Sequence, residues 1–316
     1  ARVPAIQRAA GQPNTNPQDY SQLEIPTPPP PVQEQIVTLI GEAYAEKRQR
    51  DSDAKRLLAT IDDVLFSELG IPQNPEPPNT IESRIFRRTL SEVSGGRLDP
   101  YFNSPAFTKH DELLRKHSDF TRLRGLGRLI RGVVYSSSDE REEGSAIVRA
   151  NNIDLFTGDL ELQDLVHIRD DMKFDASQRL QQGDILICAA SGSKEHAGKV
   201  AFIPKDVNAY FGGFMMVLRF SGVNVVPEYL AYYMQSGLFR RSIFRHLGGT
   251  NINNLSISMI QSLGVILPET NDQNRIVTTV RDIKARARAL REKASADLKR
   301  AKRDIEALIL GKDTAS

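Results

Sequence analysis

The chain has 316 residues, in which 42 Lys and Arg are balanced by 40 Asp and Glu, so the formal net charge is only +2. A hydrophobic content of 40% and a charged content of 26% are typical of a globular protein with a buried core. Apolar runs stay far below the roughly 18 residues of a transmembrane helix, so no membrane span is expected. The overall charge gives no general affinity for nucleic acids.

The first predicted element is a long helix within residues 25–70. The proline-rich segment Ile25-Pro-Thr-Pro28 precedes it, and apolar residues such as Ile36, Val37 and Leu57 then recur at helical spacing. Gly70 is a suitable C-terminal stop, because glycine accepts the left-handed conformation. The helix would be roughly 55 Å long. From Gln33 to Gly70, five basic residues stand against eight acidic ones, a net charge of −3.

The middle of the chain has a different pattern. Residues 71–117 are predicted as a linker that includes a short helix over residues 105–117. Residues 118–262 contain short apolar runs separated by Gly, Asn and Asp, which predict strands over residues 146–148, 184–188, 199–203 and 214–220. Residues 227–237 begin with proline and end with glycine, which predicts a helix. This part is therefore an α+β domain.

The end of the chain repeats its beginning at a spacing of 240 residues. Leu263, Pro268, Gln273, Ile276, Val277 and Thr278 match Leu23, Pro28, Gln33, Ile36, Val37 and Thr38. Gly311 corresponds to Gly70 after a shift of one residue. We therefore predict a second long helix within residues 263–312. From Gln273 to Gly311, eleven basic residues stand against five acidic ones, a net charge of +6.

Two long helices of opposite charge, each with one apolar stripe, favour pairing with each other. The alternative is that both are solvated helices with no relation in space. The predicted fold class is α+β, with one globular domain flanked by two long helices that pair as an antiparallel coiled coil. Such an arrangement buries both stripes.

No catalytic or metal site is recognisable. Residues 192–200 have the wrong spacing for a phosphate-binding loop, and Gly125-Leu-Gly127 lacks the third glycine of a dinucleotide fingerprint. The five histidines lack metal-ligand spacing, and Asp159-Leu-Glu161 lacks the lysine of a nuclease site. Cys188 has no histidine partner, cannot form an internal disulfide and lies in an apolar run, so we expect a buried thiol in a cytoplasmic protein. No cofactor is predicted.

Polar and basic residues gather between Lys194 and Gly249, where seven basic residues stand against three acidic ones. The loop of residues 190–199 is rich in backbone, hydroxyl and amine donors. Arg241 and Arg245 share one helical face. Such donors suit phosphates, whereas Arg and Asn suit the edges of bases. These residues predict DNA binding.

Several segments together resemble the specificity subunit of type I restriction-modification systems. They are Ile25-Pro-Thr-Pro-Pro-Pro-Pro-Val-Gln-Glu-Gln-Ile-Val37, Arg97-Leu-Asp-Pro-Tyr-Phe102, Gln182-Gly-Asp-Ile-Leu-Ile187, Ser191-Gly-Ser193 with Gly198-Lys199, Tyr210-Phe-Gly-Gly-Phe214 and Gly249-Thr-Asn-Ile-Asn253. The resemblance covers the chain from about residue 11 to residue 312. It implies a domain at about 118–262 that reads part of a bipartite DNA target.

The resemblance also implies partners. The helices in 25–70 and 263–312, which correspond to the conserved regions of that family, would dock methyltransferase (modification) subunits. The chain itself would be non-catalytic, with S-adenosylmethionine, ATP and Mg²⁺ used by partner subunits only and the restriction subunit bound indirectly. Residues 1–24 resemble the end of a preceding recognition domain, so the chain is expected to be a fragment or a natural half-subunit. A half-subunit would form a homodimer through its helices.

The candidate DNA-binding residues on this interpretation are Arg149, Asn151, Ser191, Ser193, Lys194, Lys199, Tyr210, Arg241, Arg245, Thr250 and Asn251. Two alternatives stay open. The domain could belong to a fused type II restriction-methyltransferase enzyme, since Arg97-Leu-Asp-Pro-Tyr-Phe102 also resembles those enzymes. The chain could also be a coiled-coil adaptor that binds only protein.

Overall fold

The computed structural model describes residues 26–73, 78, 80–93, 96–192, 196–220, 224–247 and 253–311. The chain divides into two compact units, one from residues 1–55 with 286–316 and the other from residues 56–285. The helices are α1 (Pro30–Glu68), α2 (Ile81–Arg84), α3 (Leu90–Val93), α4 (Pro105–Arg115), α5 (Pro227–Gln235), α6 (Gly237–Leu247), α7 (Ile257–Ser262) and α8 (Thr270–Ile309). Among the described residues, no helix combines the length and the apolar character needed to cross a bilayer.

The two long helices, α1 and α8, have 39 and 40 residues. In the first unit they run antiparallel. The guanidinium of Arg50 binds the carboxylate of Asp297, and the ammonium of Lys302 lies 5.6 Å from the centre of the Tyr44 ring. Contacts thus pair earlier residues of α1 with later residues of α8. The predicted antiparallel coiled coil is confirmed.

The seam between the two long helices is lined by apolar residues. Along α8 the inward residues recur at the spacing of a coiled coil, and those that are buried include Val277, Val280, Ala287, Ala294, Leu298 and Ile305. Buried alanines on both helices, such as Ala54 of α1, allow the backbones to approach closely. At one ion pair the polarity is opposite to that of the net charges, since Arg50 of the acidic helix binds Asp297 of the basic one.

The strands are β1 (Phe120–Arg122), β2 (Arg128–Arg131), β3 (Glu140–Arg141), β4 (Ser145–Val148), β5 (Val166–Ile168), β6 (Ile185–Cys188), β7 (Ala190–Ser191), β8 (Val200–Phe202), β9 (Tyr210–Phe211), β10 (Met215–Arg219), β11 (Asn253–Asn254) and β12 (Gly264–Ile266). An antiparallel sheet has the order β2-β10-β6-β8. A second sheet, β3-β5-β4-β9, is antiparallel except for the parallel pair β4 and β9. Two-stranded ladders join β1 to β12 and β7 to β11. The α+β class is confirmed.

The sheet β2-β10-β6-β8 separates two apolar cores. Met216 and Leu218 of β10 belong to the core that also contains α5, α6 and the starts of β1 and α8, whereas Met215 and Val217 face the core shared with β4 and β9. Alternate residues of β6 divide in the same way. Because side chains alternate along a strand, a strand covered on both faces reads as a continuous apolar run. The central strands are therefore fixed from both sides.

The two copies of the sequence repeat share local structure but differ in burial. The side chain of Gln33 donates to the carbonyl of Pro28, and that of Gln273 donates to the carbonyl of Pro268, both over 2.7 Å. Gly70 and Gly311 both adopt positive φ, as predicted for helix caps. Gln273 is fully buried, whereas Gln33 is exposed.

Gln273 makes further bonds that Gln33 does not reproduce in the described residues. Its side-chain oxygen accepts the backbone N–H of Val226 over 2.8 Å, and its amide donates to the carbonyl of Asn224 over 3.2 Å. These bonds fix the residues that lead into α5. The C-terminal copy thereby anchors the globular domain to the start of α8.

We predict that Gln273→Ala lowers the free energy of unfolding by about 2–4 kcal/mol, because it removes one buried hydrogen bond, to the carbonyl of Pro268, and two partly buried ones, to residues 224 and 226. The matched substitution Gln33→Ala should cost less than about 1 kcal/mol, since water replaces its exposed bond. Urea denaturation of both variants, followed by circular dichroism, measures the difference. Equal losses would show that the bonds to residues 224–226 do not stabilise the domain.

Candidate nucleic-acid interface

The ladder between β7 and β11 brings together two segments that are far apart in sequence. Ser191 pairs with Asn253, and Ala190 pairs with Asn254. The N–H of Leu255 also donates to the carbonyl of Ala189 over 2.7 Å. The polar loop after β6 and the chain after α6 therefore meet at one edge of the domain. Four of the predicted residues, Ser193, Lys194, Thr250 and Asn251, lie outside the described residues.

A cavity of about 440 Å³ opens beside this ladder. Its wall comes from the segments that follow β2 and β4 and from the turn between β9 and β10. The polar lining residues are Tyr135, Ser136, Ser137, Glu140, Arg149 and Asn151, and the apolar ones include Val133, Val134, Phe214 and Met215. Arg149 and Asn151 are thus brought to one place, next to Ala190 and hence to Ser191. These residues define the candidate interface.

The side chain of Arg149 lines this cavity, and one of its N–H groups has no acceptor among the described residues. Its guanidinium lies close to the phenol of Tyr135; burial raises the pKa of that phenol, and the positive charge of Arg149 opposes the shift. Its Nε atom is buried and has no hydrogen-bond acceptor within the described part of the chain. Because a buried N–H without an acceptor is costly, such a donor points to a ligand that supplies one.

Lys199 stabilises the candidate interface from within the domain. It is only 5% exposed, and its ammonium donates to the carbonyl of Ile153 over 3.0 Å and to that of Ala150 over 3.4 Å. Burial lowers its pKa. The bonds hold the turn that carries Asn151. This placement does not favour the predicted contact with DNA, because the ammonium is enclosed by the domain.

Tyr210 is engaged in an aromatic stack. Its ring lies on that of Phe174, with 4.4 Å between ring centres, and the guanidinium of Arg179 lies 5.4 Å from the ring centre. Tyr210 also belongs to β9, whose parallel partner β4 leads to Arg149. It is half-buried next to the interface, but its ring is already in contact with protein.

Arg241 and Arg245 lie elsewhere, on α6. They line a separate cavity of about 260 Å³ together with Arg115, Arg122 and His246. Arg245 donates from Nε to the carbonyl of Phe102 over 3.0 Å and binds Asp111 at 3.4 Å. Burial lowers its pKa. The structure does not bring this pair together with Arg149, and Arg245 already joins α6 to α4 and the residues before it.

Sequence reasoning missed Val134, Tyr135, Glu140 and Phe214. The apolar run predicts a strand over residues 214–220 that begins with Phe214. The strand starts only at Met215, and Phe214 is 74% exposed. The Gly212-Gly213 pair before it was the available signal, since consecutive glycines indicate a turn.

Chemical reactivity is not apparent in the described residues. No group of three or more His, Cys, Asp or Glu side chains there could hold a metal ion. Cys188 is fully buried, as predicted, and burial raises the pKa of its thiol to about 11. A thiol with that pKa is protonated at neutral pH and therefore a poor nucleophile.

Comparison with known proteins decides the family. A family model described as the type I restriction modification DNA specificity domain matches residues 116–300, more than half of the chain. The chain belongs to this family. Among curated relatives, the type I restriction enzyme StySPI specificity subunit of Salmonella potsdam is 31% identical over 152 residues, and the EcoKI specificity subunit of Escherichia coli strain K12 is 30% identical over the same length.

Each match covers 47% of this type I specificity chain and 32% of the relative, so the matched region spans about a third of those proteins. One solved structure, from work on complex assembly and conformational transition of the type I R-M system, covers 95% of this chain and 64% of its own. It has 16% identity and a TM-score of 0.53, which shows a shared fold. The HsdS subunit from Thermoanaerobacter tengcongensis has 19% identity, covers 96% of this chain and 64% of its own, and gives a TM-score of 0.46.

We expect the stability of the chain to depend on pH through His246, which lines the same cavity as Arg245. Burial, with Arg245 and Arg97 nearby, lowers the pKa of His246 from 6.5 to about 4, although Asp111 opposes this. In the unfolded chain the His246 imidazole therefore binds a proton below about pH 6.5, whereas in the folded chain it stays neutral down to about pH 4. The free energy of unfolding therefore decreases as the pH falls from about 6.5 to about 4, and above pH 6.5 His246 causes no such loss.

We expect the free energy of unfolding to fall by about 2 kcal/mol more in the wild type than in His246→Phe between pH 7 and pH 4.5. Phenylalanine keeps an aromatic ring near Phe102 and cannot titrate. Urea denaturation at several pH values measures the two curves. Parallel curves would contradict a lowered pKa at His246.

Proposed function

We propose that this chain is a DNA sequence-specificity subunit of a type I restriction-modification complex. Its domain at 118–262 would read one part of a bipartite target in double-stranded DNA. The observation that carries the proposal is the candidate interface, where Arg149, Asn151 and Glu140 line one cavity on a domain of this family. Arginine pairs with guanine, asparagine with adenine and glutamate with the amino group of cytosine.

The composition of the interface favours base reading over general attraction to phosphates. Its described charged residues are Arg149 and Glu140, which nearly balance, so it lacks the excess of cations that a phosphate-binding surface needs. Sequence is read through base edges, whereas phosphate contacts fix orientation. A mixed set of hydrogen-bond donors and acceptors supports the reading of base edges.

Partner subunits complete the proposed function. We propose that the coiled coil of α1 and α8 docks the methyltransferase subunits, and that the restriction subunit joins through them. Outward apolar residues on α1, such as Val37 at 68% exposed, support a docking role. The chain itself would not be an enzyme. S-adenosylmethionine, ATP and Mg²⁺ would belong to the partners, and the complex would act in the cytoplasm.

The test uses the chain assembled with its cognate modification subunits. Selection from a random library of DNA duplexes should enrich a defined sequence, and the mass of the assembly shows whether the chain is present once or as a homodimer. Binding of DNA without any sequence preference would overturn the proposal, and assembly with protein but not with DNA would overturn it in favour of an adaptor.

We predict that Arg149→Ala weakens binding to the selected sequence by about 1–3 kcal/mol and relaxes preference at one base pair. The salt dependence of binding should stay unchanged, because no phosphate contact is removed. Arg169→Ala is the matched control, since this arginine is partly exposed in the same domain, pairs with Asp139 and Asp171, and does not line the cavity. Equal effects of both substitutions would argue against a base contact.

A further inference from the structure

Two exposed apolar residues lie on adjoining segments at the rim of the candidate interface. Val134 is 83% exposed and Phe214 is 74% exposed. Their segments touch, because a Cβ placed on Gly213 would lie 3.2 Å from a side-chain methyl of Val134. A single exposed apolar residue is common on protein surfaces, but two on adjoining segments that line the same cavity form a candidate contact surface.

The backbone under Phe214 is fixed. Its carbonyl accepts the N–H of Ala189 over 2.8 Å and that of Ala190 over 3.1 Å, and the N–H of Met215 closes the turn onto the carbonyl of Gly212 over 2.8 Å. A side chain at Gly132 would collide with the carbonyl oxygens of Phe211 and Gly212, so the segment after β2 lies directly against this turn. The backbone of Phe214 therefore has a defined position, while most of its ring is exposed to solvent.

The residues that line the cavity beside Phe214 indicate which kind of ligand its ring contacts. Asn151 and Arg149 line the same cavity and present amide and guanidinium donors. The major groove of DNA offers one apolar group, the C5-methyl group of thymine, and phenylalanine is one of its known kinds of partner. The adenine paired with that thymine presents N6 and N7, which suit asparagine. An A·T pair thus matches both the apolar and the polar side of this surface.

We propose that Phe214, together with Val134, contacts the C5-methyl group of a thymine in the major groove of the target, with Asn151 beside the paired adenine. This inference rests on the proposed function of the chain in reading DNA. It assigns recognition of the thymine methyl group to side chains that make no hydrogen bond, while Asn151 is left to bond the adenine. Discrimination then depends on whether a methyl group fills the space between the duplex and the Phe214 ring.

The experiment deletes the methyl group from the DNA and the ring from the protein. After selection of the target, each thymine in the part read by this domain is replaced in turn by deoxyuridine, which changes only the C5-methyl group. The wild-type assembly should bind about fourfold more weakly at one position, the effect of one buried methyl group. In Phe214→Ala the ratio of the two dissociation constants at that position should fall to about one.

Controls keep folding and binding apart. Leu155→Ala removes another exposed side chain of the same domain, 62% exposed and outside this cavity, and should retain the fourfold ratio. Unchanged melting temperatures of both variants would show that the domain is intact. Phe214→Leu, which keeps an apolar tip, should restore part of the sensitivity to the methyl group.

The outcomes distinguish this inference from the proposed function. Absence of any sequence preference in the wild type defeats the proposed function and this inference together. Sequence-specific binding with no thymine in the selected part, or with no position sensitive to deoxyuridine, overturns only this inference. Equal weakening by Phe214→Ala on thymine and deoxyuridine duplexes also overturns it, since the ring would then act as a wedge between base pairs or in general packing.

Discussion

Burial of the β2-β10-β6-β8 sheet on both faces is the constraint from which the arrangement of the domain follows. Successive residues of β10 and β6 enter two different cores, so neither strand can shift by one residue without exchanging its contacts. The turns at the ends of these strands inherit that fixed register. The candidate interface is built from such turns, and its residues are therefore positioned by the core rather than by the surface.

The sequence repeat shows how one local motif serves two environments. Both copies place a glutamine at the start of a long helix and bond it to the carbonyl of the proline five residues before. In the C-terminal copy the glutamine also holds residues 224–226, and Ile276 beside it is fully buried. In the N-terminal copy Val37, the counterpart of Val277, is 68% exposed. The motif encodes the helix start, and the surrounding chain determines whether its apolar face is covered.

Much of the fold was predictable from the sequence because its signals are local. The strands β4, β6, β8 and β10 coincide with short apolar runs, and α5 begins at the proline and ends before the glycine that indicated it. Gly70 and Gly311 cap their helices as expected. The antiparallel pairing of the long helices was also predictable, from an apolar stripe on each helix, and buried alanines of both helices belong to the described residues.

The candidate interface was only partly predictable, because its composition depends on contacts between distant segments. Arg149 and Asn151 were predicted and do share a cavity. Lys199 follows a glycine in a loop rich in donors, and nothing in the local pattern shows that its ammonium turns inward to Ala150 and Ile153. Arg245 shares a helical face with Arg241 as predicted, yet that face packs on Phe102 and Asp111. Helical spacing identifies a face but not what the face meets.

The fixed turn at Phe214 has a consequence for the entropy of association. Its backbone is already ordered by hydrogen bonds from the segment after β6 and by the close approach of Gly132. A partner that seats against the ring restricts only two side-chain torsions, whereas a flexible loop would also lose backbone freedom, at about 1–2 kcal/mol per residue. Even a small apolar contact at this point can therefore contribute nearly its full value to discrimination between sequences.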